Sequence, residues 1–318
     1  LLRDATRVQV LDNLIVGNGP VEAAAAAVKL GFGVVAVSCQ GVEVRGNRVL
    51  DNGVLGSLDD DRIVMNVGVA ALGAMGTAAT GLASLALREP AARVHENTLV
   101  TPEGPGIMLH GVGPMSVNDN NVASSYLGQN RPRFGRAVLV ANLGAAPDMS
   151  LVPRPGGGRG IARQFHGPVQ ISDNQISVQA DARGLPEFDP DSPPEGTPAS
   201  QLIDGSAVLA VTLDDLRFQG NQVVNEVLPL LSGIFRLQSS VATFGVTTRA
   251  TGNRMTEFPF TALLSYVGFS LAHLASENMS THCLRVDGEV VREHDNLGML
   301  CKPPGLETRP RVQVIIGR

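Results

Sequence analysis

The chain of 318 residues is 43% hydrophobic and only 17% charged, so it can bury a sizeable core as one large domain or two ordinary ones. A net charge of −5 gives no electrostatic reason for a nucleic-acid partner, and 36 glycines with 20 prolines favour many turns over long helices. The three cysteines, Cys39, Cys283 and Cys301, lack CxxC or metal-finger spacing. Their odd number and wide spread speak against a disulfide framework, so each is expected as a small buried apolar residue. The opening LLRDATRV has neither an initiator Met nor a signal-peptide pattern, and the chain is expected to be a piece of something longer.

The first element is VLDNLI (10–15), and its pattern returns along the chain: apolar, any, Asp/Glu/Gly, Asn, any, apolar. The copies are VRGNRV (44–49), VHENTL (94–99), VNDNNV (117–122), ISDNQI (171–176) and FQGNQV (218–223). ATGNRM (250–255) follows with a weaker first position, and degenerate copies surround Asn278 and Asn296. A further apolar residue stands five before the Asn in the six good copies: Val8, Val42, Ala92, Met115, Val169 and Leu216. Such internal repetition outranks any local signal.

Alternation up to the Asn predicts a strand with one buried face, and Asp, Glu or Gly before Asn is turn chemistry that tolerates left-handed backbone. GVVAVS (33–38), GIMLHG (106–111) and AVLAVT (207–212) predict another short strand upstream of the repeat. Each unit is therefore strand, turn, strand, Asn turn and a variable connection. Intervals between the asparagines run from 18 to 54 residues. The shortest fit one turn of a β-solenoid; the longest fit a coil with an inserted loop, or two coils with one Asn missing. Coils stacked about 4.8 Å apart would let equivalent inward asparagines bond to one another, which removes the cost of burying their amides. The ladder is expected at Asn13, Asn47, Asn97, Asn120, Asn174, Asn221, Asn253, Asn278 and Asn296.

Between the copies, PVEAAAAAVKLGFG (20–33) reads as a short helix ended by glycine. Residues 63–87 carry no charge between Arg62 and Arg88 and are long enough for a membrane span. Their Ala, Gly and Thr content, with repeats on both sides, points instead to a buried helix or loop. Insertions are expected near 61–91, 143–168 and 184–200, the last rich in Pro and acids. Beyond 301, VQVII is expected as a final coil or part of a cap.

The repeat resembles that of the right-handed parallel β-helix proteins of the pectate-lyase-like superfamily, from about Val8 to Asn296. The resemblance implies one all-β domain over 1–318: a right-handed parallel β-helix with an Asn ladder, long loop insertions and short helical segments. The superfamily holds polysaccharide lyases, polygalacturonase-like hydrolases, uronate epimerases, phage tailspikes and adhesins, so the fold alone does not choose an activity.

For a carbohydrate enzyme of this kind the candidates are Asp214, Asp215 and Arg217 in VTLDDLRF, since the resemblance implies a catalytic Asp pair in the hydrolases. Register favours a polar turn instead, because the slots of Asp214 and Asp215 hold Gln40-Gly41, Gly113-Pro114 and Gly167-Pro168 in other units. Asp59-Asp60-Asp61, Asp189 with Asp191, and the loop arginines Arg154, Arg159 and Arg163 read as solvated surface rather than ligand sites. His282-Cys283 with His294 and Cys301 is the one His/Cys cluster, expected to be structural; His95, His110, His166 and His273 lack metal spacing. No Trp and only Tyr126 and Tyr266 are available as sugar platforms, although Arg and Lys can hold acidic glycans. The expected function is a non-catalytic structural or recognition module of a larger surface, adhesin-like or phage-tail-like assembly. Its partners would be protein neighbours or a surface glycan, in an extracellular or particle-associated setting, without a membrane span or cofactor. The alternative is a polysaccharide lyase, hydrolase or epimerase, with calcium if a lyase.

Overall fold

The computed structural model describes residues 1–19, 21–22, 28–53, 63–76, 90–126, 136–142, 145–147, 161–163, 167–181, 206–228, 237–258 and 262–299. Within them the chain forms a parallel β-helix of nine stacked coils, each giving one strand to each of three strips. An upstream strip runs from Leu2–Arg3 to Cys283–Asp287, and a strip before the Asn turn from Gln9–Leu11 to Val290–His294. A strip after the turn runs from Leu14–Val16 to Leu297–Gly298. Successive coils pair in parallel throughout. We number the coils 1 to 9 by their ladder asparagine, from Asn13 to Asn296. Even the widest interval is a single coil, because Asn121 pairs directly with Gln175 across it.

The turn chemistry explains why the coils align. In all nine, the residue before the ladder Asn has φ between 54° and 66°. Three of these residues are glycine; six are Asp or Glu held in the left-handed region that side chains usually avoid. This conformation turns the Asn side chain inward. From Asn13 to Asn278, each ladder Asn donates its backbone N–H to the Oδ1 of the next at 2.9–3.1 Å. Its Nδ2 donates to the same oxygen at 2.8–3.1 Å. The second Nδ2 hydrogen meets a carbonyl; in Asn174 the acceptors are those of Val117 and Ser172. Every buried ladder amide hydrogen thus has a partner, which is why seven of the nine can be buried at almost no cost. A second, shorter ladder stands five residues on, where Asn18 donates to Asn52 after left-handed Gly17 and Asp51. The same slot then holds Pro102 and Ser125, and the second ladder stops.

The core is the inward columns five and three before the Asn and two after it. In coil 5 these are Val169, Ile171 and Ile176, all buried. Early coils break between upstream and pre-Asn strips at small or turn residues such as Gly41 and Gly113-Pro114. Coils 7 and 8 carry Val246-Thr247 and Leu271-Ala272 there, and single strands, Leu237–Thr251 and Ala262–Ser276, run through both strips.

Three local expectations are corrected. Among the described residues there is no helix, and none long and apolar enough to cross a membrane. In the 20–33 segment Val21–Glu22 pairs antiparallel with Lys29 and Leu30 at the start of strand Val28–Val37, while 23–27 lie outside the described residues. The uncharged segment supplies strand Ile63–Met75, the upstream strand of coil 3, paired with coils 2 and 4; residues 77–87 lie outside the described set. Cys283 is disulfide-bonded rather than a free thiol, whereas Cys39 is free and buried as expected. Cys301 and VQVII lie outside the described residues, as do Asp59, Asp60, Asp61, Arg154, Arg159, Asp189, Asp191 and His166. Of the 143–168 insertion, Ala145–Pro147 and Ile161–Arg163 form an antiparallel pair.

Candidate functional site

Strand alternation sends two columns of the pre-Asn strip to solvent, four and two residues before each Asn. The first column carries Glu43, Arg93, Ser116, Gln170, Arg217 and Arg249 in consecutive coils, each beside the next in register. The second adds Arg45, His95, Asn118, Gln219 and Thr251, with Ser172 of coil 5 buried among them and donating to Asn118 Oδ1. The outer face is therefore a polar strip with a guanidinium or amide in most coils, about 4.8 Å apart.

At its coil 1 end the strip is hollowed. A cavity of about 260 Å³ there is lined by Arg7, Gln9, Gly41, Val42, Glu43, Pro90 and Arg93. The Glu43 carboxylate is fixed from both sides: Gln9 Nε2 donates to it at 2.9 Å and His95 Nε2 lies 3.2 Å from its other oxygen. The Gln9 bond does most to hold Glu43 below the usual carboxylate range, helped by His95 and Arg45 and opposed by desolvation. This site was not legible in the sequence, because its residues come from three coils and meet only through register.

Asp214, Asp215 and Arg217 lie together at the start of strand Asp215–Gln219. Asp214 Oδ1 accepts the Asp215 backbone N–H at 2.9 Å, and Asp215 Oδ1 accepts the Thr247 hydroxyl of the next coil. Arg217 is exposed between Gln170 and Arg249. Asp215 and Glu43 stand on the same strip four coils apart, about 19 Å at the coil spacing. A glycosidase pair needs about 5–9.5 Å. Tyr126 and Tyr266 are both buried and offer no platform. Phe244 and Phe269, neighbours on the outer upstream strip, are stacked with centroids 5.0 Å apart and are half-buried. His282 donates its backbone N–H to Ser265 Oγ, and among the described residues no three His, Cys, Asp or Glu side chains converge as metal ligands.

A second constellation, buried in coils 7 and 8, escaped the sequence reading. Glu257 is fully buried four residues after Asn253; Ser240 Oγ donates to one carboxyl oxygen at 2.6 Å and Ser265 Oγ to the other at 2.9 Å. Alongside, Thr243 Oγ1 and Tyr266 OH are 2.5 Å apart, Tyr266 OH lies 3.1 Å from His273 Nε2, and Ser270 Oγ 2.9 Å from His273 Nδ1. Burial raises the carboxyl of Glu257 against the pull of its hydroxyl donors, raises Tyr266, and lowers His273 to about 4. Ser270 and His273 have the connectivity of a nucleophile–base pair, but an imidazole that basic only near pH 4 is a weak base at neutral pH. Gly268 is required here, since a Cβ would lie 2.2 Å from His273 Cε1.

No protein-family model, no curated protein and no solved structure matches this chain.

Proposed function

We propose that the chain is a non-catalytic recognition and structural module of a larger protein or assembly. Its partner, a protein neighbour or an acidic surface glycan, would lie along the outer face of the pre-Asn strip. The observation that supports this most is the column Arg93, Ser116, Gln170, Arg217, Arg249, which repeats charge and hydrogen-bond donors at the coil spacing. Guanidinium groups hold carboxylates bidentately, and amides between them suit the hydroxyls of an extended sugar chain. The reading includes right-handed winding of the pectate-lyase-like kind, the sense that parallel strand–connection–strand units adopt.

Incubation with neutral and uronate polysaccharides, with calcium present, tests it. Binding of acidic chains without cleavage is expected, weakened about tenfold by Arg217→Ser with Arg249→Ser, a loss of about 1.4 kcal/mol. The second reading, a carbohydrate lyase, hydrolase or epimerase, rests on the shared outward placement of Asp215 and Arg217. New double bonds or reducing ends that vanish in Asp215→Asn would establish that reading and overturn the first.

A further inference from the structure

The C-terminal coils bury a carboxyl and an imidazole, and among the described residues neither has an opposite charge beside it. Glu257 meets Ser240 and Ser265 hydroxyls; His273 meets Tyr266 and Ser270 hydroxyls. One strand, Ala262–Ser276, supplies Ser265 to the acid and Tyr266 with Ser270 to the imidazole, so opening of that one strand uncovers both groups. A buried ion without a counter-ion is costly, and that cost raises the Glu257 carboxyl and lowers the His273 imidazole. We propose that Glu257 and His273 form a latch that is proton-balanced in mildly acidic solution: both are uncharged while coils 7–9 are closed and both ionise on opening, so closure of this end then exchanges no net proton.

In coil 8, His282 lies beside the acid half of the latch, its backbone N–H donating to the Ser265 hydroxyl that meets Glu257, while Glu277 is exposed. In coil 6, the inward residues Leu216, Phe218 and Asn225 do not titrate, and Glu226 points outward to Gln179. In coil 7, Thr243 and Thr248 face inward while Arg249 and Arg254 are exposed. In coil 9, Arg285 pairs with Asp287 at 2.9 Å, and His294 with Asp295 at 3.0 Å. Glu293 occupies the column three before Asn296; it is exposed at the end of the stack, and partial desolvation raises its carboxyl. Tyr266 is raised by burial and stays neutral across mildly acidic pH.

Each half of the latch has its own sign. His273, lowered from 6.5 to about 4, favours closure fully above pH 6.5 and releases it as pH falls towards 4. Glu257, raised from 4.5, favours closure fully below pH 4.5 and releases it as pH rises above that value. Between pH 4.5 and pH 6.5 the two slopes oppose each other. On opening, the Glu257 O–H gives its proton to water while the His273 imidazole takes one up, and the count balances. End coils of a solenoid open as a local unit because each coil contacts only its neighbours, so the event can be seen without unfolding coils 2–6.

Amide hydrogen exchange of strand 262–276 in the full chain, divided by intrinsic rates, reads the opening. The measurement uses a Glu293→Gln, His282→Gln background so that the third carboxyl and the second imidazole are silent. Between about pH 6 and about pH 5 the opening constant of the parent is expected to stay flatter than that of either single variant. With Glu257→Gln it should rise about sevenfold over that step, as His273 acts alone. With His273→Gln it should fall. The latch is overturned if either variant keeps the flat response of the parent, or if both tilt the same way. Should a variant fail to fold, the His273 ring signals of the unsubstituted chain decide: titration near about 4 supports the latch, and a midpoint near about 6.5 overturns it.

Discussion

Coils 2–6 and coils 7–9 share one ladder and differ in what it encloses. Three residues before the Asn, coils 2 to 6 bury Val44, Val94, Val117, Ile171 and Phe218; coils 7 and 8 bury only Ala250 and Ala275, and coil 9 exposes Glu293. Five before it, Val42 and Val169 give way to Thr248 and His273. Yet ladder bonds at Asn253 and Asn278 are as short as those at Asn97 and Asn120. The turn and its amide chain therefore set coil geometry, and the core may change from apolar to hydroxyl-rich without disturbing register. What changes is the source of stability. The early coils draw on apolar burial, and the late coils on hydrogen bonds that each contribute only about 1 kcal/mol net.

The sharpest way to break this comparison is through the ladder itself. Asn174→Leu removes the acceptor of the Asn120 N–H and Nδ2 and strips the carbonyls of Val117 and Ser172 of a donor. Several buried groups are left unpaired, and a loss of about 4 kcal/mol in denaturant unfolding is expected. Asn296→Leu at the solvated end should cost less than about 1 kcal/mol. Equal losses would mean that the ladder does not act through buried amides.

A smaller effect separates the two cores. Ile171→Ala opens a cavity among Val117, Val169 and Phe218 and should cost about 3 kcal/mol. Thr248→Val, in coil 7, replaces a buried hydroxyl that lacks a partner with an isosteric methyl and should stabilise by about 1 kcal/mol. A destabilised Thr248→Val would show that the late core depends on that hydroxyl.

The repeat was legible because turn chemistry and apolar alternation coincide around each Asn, and the nine ladder positions follow from it. Other parts were not, for physical reasons. Strand Ile63–Met75 buries both faces, with Val67 and Ala70 in one cluster and Val69 and Ala71 in another. Such a strand loses its alternation and looks like a helix or loop. The Ala run at 23–27 hid the strand beginning at Val28 in the same way. Asn18 and Asn52 form only two rungs, too few to stand out as a period. The Glu43 hollow and the Glu257–His273 network depend on cross-coil register, although Ser and Thr crowding inward slots in LQSSVATFGVTT was a visible departure from the early coils. The register of Asp214 and Asp215 predicts a polar turn, whereas Asp215 already opens the strand Asp215–Gln219 and Asp214 stands just before it.

The smallest effect tests the turn. Glu277 and Asp173 both hold left-handed backbone before a ladder Asn, with φ of 58° each. Left-handed backbone costs an L-residue about 1–2 kcal/mol, whereas glycine meets it freely but loses about 0.5–1 kcal/mol more entropy on folding. Asp also bonds its local backbone readily, which softens its cost, and the longer Glu does so less well. Glu277→Gly should therefore raise the stability of coils 8 and 9 by about 0.5 kcal/mol, and Asp173→Gly should change coil 5 by less than that. Hydrogen exchange of residues 279–298 reads the first and that of 175–181 the second. If Glu277→Gly loosens its coils, the acid side chain stabilises the turn beyond its backbone role, and the acids before the ladder are more than tolerated substitutes for glycine.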